Sequence, residues 1–189
     1  MVKPPGDDLW TVGLFSGLVM PVYEVLESKV KTASVDGVRG LVCNAFQQLR
    51  LFHQAGYVHG DVKMENFLVG ADDAGGSRVL VADVEGSCKG GEGLTEKFIA
   101  TIRFASISTL GHFLACSEDV AASLVTPIAP EAANKGMDYW SFGMMLLEIY
   151  CPEYLQAHFP IDCLVDKLKG KKKAEELVIL EQIRQAYTK

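Results

Sequence analysis

The sequence predicts an α+β chain, mainly helical, with small sheets attached. Three observations carry that expectation. Val38, Leu41, Val42, Ala45, Phe46, Leu49 and Phe52 recur at helical spacing across 34–55, which makes one apolar stripe. The stretch 137–150 is apolar on most faces through Trp140, Met144, Leu147, Ile149 and Tyr150, the pattern of a helix buried all round. Between them, Phe67-Leu68-Val69 and 78–82 are short apolar runs parted by Asp72-Asp73 and Gly75-Gly76, the signature of a hairpin. At 189 residues the chain can bury one real core.

Taken in order, residues 1–9 read as a tail. Positions 1–8 hold one lysine, two prolines and two aspartates, which is no signal peptide. The apolar stretch 9–22 is too short and too broken by glycine to span a bilayer. Within it, 10–14 and 17–20 read as a strand pair, and Pro21 keeps the second run from entering a helix directly. Residues 22–31 form a connector or a short helix. Ser34 is placed as N-cap of the first long helix and Gly56 as its C-cap. Residues 57–65 form a loop. The turn 70–77 lacks the alternating oxygen ligands and closing glutamate of a calcium loop. The Gly-rich stretch 86–93 follows a strand and opens no helix with Gly-Lys-Ser/Thr, so it reads as a mobile surface loop and not a phosphate cradle. Residues 94–125 carry no clear pattern. Pro152 ends the second long helix. Helices are expected over 161–168 and 172–187, the last with a stripe of Leu177, Leu180, Ile183 and Tyr187.

Composition narrows the function classes. A net charge of −6 with 22% charged residues argues against a nucleic-acid partner, and the basic cluster at 167–173 reads as a solvated loop. The five cysteines are scattered without CxxC spacing, which points to neither zinc nor a disulfide framework. A reducing, cytoplasmic compartment and no membrane partner are the expectation.

The chemistry concentrates in His59-Gly60-Asp61-Val62-Lys63-Met64-Glu65-Asn66 and in Asp83, which closes the run Val79-Leu80-Val81-Ala82. Phosphoryl transfer from a magnesium nucleotide needs a carboxylate to accept the attacking hydroxyl's proton. It also needs a cation to balance charge, and an amide oxygen with a second carboxylate to hold magnesium. The spacing Asp-x-Lys-x-x-Asn resembles the catalytic loop of protein kinases. Downstream, Ala129-Pro130-Glu131 resembles the end of their activation segment. Asp138-Tyr139-Trp140-Ser141-Phe142-Gly143 resembles the start of their large buried helix.

The resemblance runs from Trp10 to the C-terminus. It implies a protein-kinase-like large lobe over 25–189, with a remnant of small-lobe strands and hinge over 10–24. It further implies Asp61 as base, Lys63 on the transferred phosphate, Asn66 and Asp83 as magnesium ligands, and ATP with Mg2+ as cofactors. Leu68 would lie under the adenine, and Met20 to Tyr23 would meet the base edge. His59, Glu131, Asp138 and Trp140 would be structural, Asp138 by entering the core to accept backbone hydrogen bonds from the catalytic loop.

Several positions depart from the family pattern. Gly60 replaces the arginine that binds an activation-segment phosphate, so Thr101, Ser106, Ser108 and Thr109 are expected to be dispensable for activity. Asp83-Val84-Glu85 replaces Asp-Phe-Gly, with Gly86 one place late. Leu124 stands where serine/threonine kinases carry a threonine, with Thr126 nearby out of register. No Gly-x-Gly-x-x-Gly precedes Trp10, and no Val-Ala-Ile-Lys strand is seen. The chain thus reads as a kinase-like domain short of most of its small lobe and of the end of its large lobe, with weak nucleotide binding and slow transfer expected. The implied function is phosphoryl transfer to a protein serine or threonine. The alternatives are a pseudokinase serving as a binding module and a small-molecule kinase of the aminoglycoside or choline type.

Overall fold

The computed structural model describes residues 9–12, 15–18, 22–72, 76–94, 100–110, 132–159 and 173–186. These form an α+β arrangement of helices and small antiparallel sheets. Strands β1 (Leu9–Val12) and β2 (Phe15–Leu18) pair as a hairpin, with Leu9 opposite Leu18 and Val12 opposite Phe15. The strand pair expected at 10–20 is therefore present and begins one residue earlier.

β3 (Glu24–Val25) leads into α1 (Leu26–Thr32), which resolves the ambiguity at 22–31 in favour of a short helix. α2 (Val35–Gln54) follows at once. Ser34 caps it as predicted, its hydroxyl accepting from Gly37 N–H at 3.2 Å. At the other end the C-cap is Ala55, one residue before the predicted Gly56. Gly56 takes the next place with φ of +92°, a conformation that side chains disfavour. Val38, Leu41, Val42, Ala45 and Leu49 are buried on one face as the periodicity requires. Phe46 departs from that stripe and stays 37% exposed, tilted against Tyr139 and Phe142 at the edge of the core.

The expected loop 57–65 is more ordered than its sequence suggests. It begins with β4 (Tyr57–Val58) and ends in a 3₁₀ turn, Met64–Asn66. β5 (Phe67–Ala71) and β6 (Ser77–Val81) then pair antiparallel, with Leu68 opposite Leu80, and β3 joins the other edge of β5. β6 lies along α2, where Asn44 Nδ2 donates to Ser77 O at 3.3 Å.

The reading of 86–93 as a free surface loop is corrected. β7 (Cys88–Lys89) pairs with β4. Gly90 N–H then donates to Gly56 O at 2.8 Å and Gly91 N–H to Ala133 O at 2.9 Å, while Ala133 N–H returns to Glu92 O at 2.8 Å. Two of its glycines serve this clamp. Gly91 has φ of +86°, and a Cβ on Gly90 would come within 3.4 Å of Gly56 O.

α3 (Lys135–Tyr150) crosses the centre, with Met137, Asp138, Ser141, Phe142, Met144 and Met145 buried. Pro152 stops it and opens α4 (Pro152–His158) at the first helical position, where a missing N–H costs nothing. α5 (Lys173–Ala186) adds Ile179, Leu180 and Ile183 to the same core. Of its predicted stripe, Leu180 and Ile183 are buried, and the side chains of Leu177 and Tyr187 lie outside the described residues, as does the expected helix at 161–168. Among the described residues no helix is long and apolar enough to cross a membrane.

Candidate active site

Asp138 is the anchor. It enters α3 in its first turn and is 0% exposed. A carboxylate so placed needs donors, because burial strips it of water. It receives three: His59 N–H on Oδ2 at 2.8 Å, Gly60 N–H on Oδ1 at 2.8 Å, and His53 Nε2 on Oδ2 at 2.7 Å. The side chain of α3 therefore fixes the backbone at 59–60 and ties it to the end of α2. Gly60 has φ of +85°, the left-handed region that glycine favours.

His59 is buried, and its Nε2 bonds Ala82 O at 2.8 Å. Its Nδ1 accepts from Asp61 N–H at 3.2 Å. On the other side of the loop, Ala82 N–H donates to Asn66 O at 2.9 Å. Both backbone groups of Ala82 therefore face the loop, and the chain enters Asp83 from that tether.

Asp61 is 8% exposed, and its carboxylate is surrounded. Lys63 Nζ donates to Oδ2 at 2.8 Å, and Asn66 Nδ2 donates to Oδ2 at 3.1 Å and to Asp61 O at 2.8 Å. Thr101 N–H donates to Oδ1 at 2.6 Å. Burial alone would raise the Asp61 carboxyl. Hydrogen bonds from Lys63 and from the Thr101 hydroxyl and N–H, with the Lys63 charge, outweigh it and hold the group below the ordinary aspartate value. Asp61 is thus ionised and oriented, the state that a proton acceptor needs.

The structure brings Asp61, Lys63 and Asn66 into one hydrogen-bonded cluster. Asp83 follows Ala82, which is bonded to the loop, and is exposed in the left-handed conformation with φ of 56° and ψ of 51°. Aspartate tolerates that region better than most residues. Among the described residues no three His, Cys, Asp or Glu side chains converge as a metal cage. Asn66 commits only its amide nitrogen to Asp61, so its carbonyl oxygen and the Asp83 carboxylate are the oxygen donors on offer. Two protein ligands suit magnesium, which keeps several waters and takes phosphate oxygens for the rest.

Leu68 lies half-buried in the middle of β5, opposite Val25 and Leu80. Tyr23 is half-buried just before β3. Its ring crosses Gly70, where an added Cβ would stand 2.6 Å from the ring. Tyr23 therefore packs on the small sheet that contains Leu68. Trp140 is half-buried and packs on the core from α3. Met20 and Glu131 lie outside the described residues, as do Leu124 and Thr126.

No family model matches the chain, and no curated protein is similar to it.

Three residues in that geometry were not singled out by sequence for the parts they play. Thr101 bonds Asp61 through its N–H, and its Oγ1 accepts from Lys63 Nζ at 2.8 Å. Thr101, expected to be dispensable for activity, is thus bonded to both charged groups. Ser106 and Thr109 are also committed, bonded to each other at 2.9 Å in the interior. Ser141 holds the segment that carries Thr101, its hydroxyl donating to Phe104 O at 2.7 Å. His53 is the third. Its only legible signal is a polar residue on the buried side of an amphipathic helix.

Proposed function

We propose that the chain is a protein-kinase-like phosphotransferase, with the fold of a kinase large lobe. Asp61 acts as base toward a serine or threonine hydroxyl, and Lys63 balances charge on the transferred group. Asn66 and Asp83 hold magnesium under the phosphates of ATP. One observation carries this reading: a buried, ionised Asp61 shares its Oδ2 with Lys63 and Asn66. A carboxylate, a cation and a carboxamide meeting within hydrogen-bond distance form the set that a loose phosphoryl transition state requires, since its catalysis is positioning and charge balance. The anchoring of 59–60 on Asp138 supports it, because a base must be held rigidly to be useful. Tyr23 and Leu68, on the sheet beside the loop, are the proposed contacts of the adenine.

A second reading, a binding module with little turnover, has its own support. Three donors already occupy the Asp61 carboxylate, and Asp83 faces solvent without a bonded partner among the polar contacts of the loop.

The two separate in one assay. Transfer from magnesium ATP to serine and threonine peptides is measured for the chain and for Asp61→Asn. Loss of a general base lowers the rate by about 10²- to 10⁴-fold. Equal rates in the two proteins would sink the assignment of Asp61. Nucleotide binding with no transfer above the Asp61→Asn blank would favour the binding module.

A further inference from the structure

The outer face of α2 carries a pattern that the core does not use. Its acidic and basic side chains on the surface are Asp36, Arg39 and Arg50. With 3.6 residues per turn, Val35, Arg39, Phe46 and Arg50 fall within about 60° of one another around the helix, and Asp36 lies outside that arc. All four are exposed, Val35 by 82%. Among the described residues, Arg39 and Arg50 make no hydrogen bond or ion pair.

Phe46 stands between the two arginines. Its ring rests on buried Phe142, 5.2 Å between centroids, and leans on Tyr139 of α3 at 6.1 Å. Tyr139 is itself 44% exposed. One helical turn before it, Lys135 is exposed and is likewise without a polar partner among the described residues. An exposed aromatic pair backed by the core is thus flanked by three uncompensated cations, on a chain whose net charge is −6.

We propose that this stripe of α2, with Tyr139 and Lys135 of α3, is a docking surface for an acidic segment of a partner protein. The segment sets an apolar side chain on Phe46 and Tyr139 and a carboxylate on each arginine. Charge complementarity selects that occupant. Arginine binds carboxylates through a planar fork of donors, and the aromatic pair supplies the apolar anchor that such interfaces are built around. The spacing sets its length. Arg39 and Arg50 are 11 positions apart, about 16 Å along the helix axis, which an extended segment covers in about five residues. A polynucleotide fits less well, because three cations neutralise few phosphates and the rest of an acidic chain repels them. None of these residues belongs to the Asp61 cluster, so the inference stands apart from the phosphotransferase reading.

The test is a binding titration of the whole chain. The probe is a dye-labelled peptide of about ten residues, with one phenylalanine between two pairs of glutamates, followed by anisotropy at low salt. Saturable binding is expected, weakening as salt is raised. The double variant Arg39→Glu, Arg50→Glu should weaken it by about tenfold or more, and Arg39→Lys with Arg50→Lys should retain most of it. Phe46→Ala, or glycine for the phenylalanine of the peptide, should weaken it by about fivefold or more. Should Phe46→Ala fail to fold, the exposed arginine variants still decide. Unchanged binding in the charge-reversed variant, or equal binding of a peptide with lysines for glutamates, overturns the inference. A single-stranded oligonucleotide that competes better than the peptide at equal salt overturns it in favour of a nucleic-acid site. Self-association that the charge-reversed variant loses, with no peptide binding, overturns it in favour of a contact between copies. No peptide binding up to about millimolar concentration overturns it outright.

Discussion

Asp61 sits in a loop whose backbone is clamped by Asp138 and whose carboxylate is held by Lys63, Asn66 and Thr101. Asp83, one residue beyond Ala82, which is bonded to that same loop, is exposed on a left-handed backbone. The proposed mechanism asks both carboxylates to serve one nucleotide. On that proposal, the difference between them would follow from the two jobs. A base is useful only when desolvated and held, and the chain supplies every partner for that. A magnesium ligand is completed by the ion, so its carboxylate needs access to water and only a positioned backbone. The comparison is open to experiment at each end.

The largest effect is expected where the clamp is cut. Asp138→Ala would leave the N–H groups of His59 and Gly60 and the ring of His53 buried without their acceptor. The cost is on the order of 3–5 kcal/mol of folding stability, read as a lower denaturant midpoint. Asp83→Ala should move that midpoint less, by about 1 kcal/mol, since the residue is exposed and the cost is only that of alanine on a left-handed backbone. Equal losses in the two variants would erase the proposed division of labour.

The second effect concerns the ion. If Asp83 is a magnesium ligand, Asp83→Ala should weaken magnesium-dependent nucleotide binding by about 10- to 100-fold while the fold stays intact. A titration in which magnesium strengthens binding equally in both proteins would remove Asp83 from the metal site. A third and smaller effect tests the loop backbone. Gly60→Ala places a side chain at φ of +85°, at a cost of about 1–2 kcal/mol, and an unchanged midpoint would show that the loop relaxes easily.

How much of this was legible in sequence follows from the range of the interactions. The helices were readable because Val38, Leu41, Val42, Ala45 and Leu49 announce a buried face by local spacing alone. The hairpin of β5 and β6 was readable for the same reason. The motif residues Asp61, Lys63 and Asn66 lie close in the chain, and the structure does gather them. Thr101 reaches Asp61 across 40 positions, and nothing in its neighbourhood marks it. The glycines at 86–93 suggested looseness, because composition alone does not reveal that Gly90 and Gly91 make room for bonds to Gly56 and Ala133. Phe46 fits the helical stripe by spacing, yet it lands at the rim, since a stripe predicts a direction and not how far the neighbouring elements extend.

The finest test of the comparison is a pH titration of stability. The partners around Asp61 hold its carboxyl below the value of an aspartate in the unfolded chain, about 3.9. In the interval between the two values the unfolded state binds more protons than the folded one. Stability therefore rises with pH there. Asp61 contributes its full share above the unfolded value and loses it as pH falls through the folded value. Thr101→Val keeps the N–H bond and removes the hydroxyl, so it should weaken this stabilisation, with a cost near neutral pH of about 1.5 kcal/mol, the low end for one hydrogen bond to a charged group. The slope of stability against pH below about 4 should flatten in that variant. Asp61→Asn, which cannot titrate, should flatten it further. Should the unaltered chain and Asp61→Asn show the same slope through that interval, Asp61 would not be the depressed group, and the contrast between a held carboxylate and a solvated one would have to rest on the stability measurements alone.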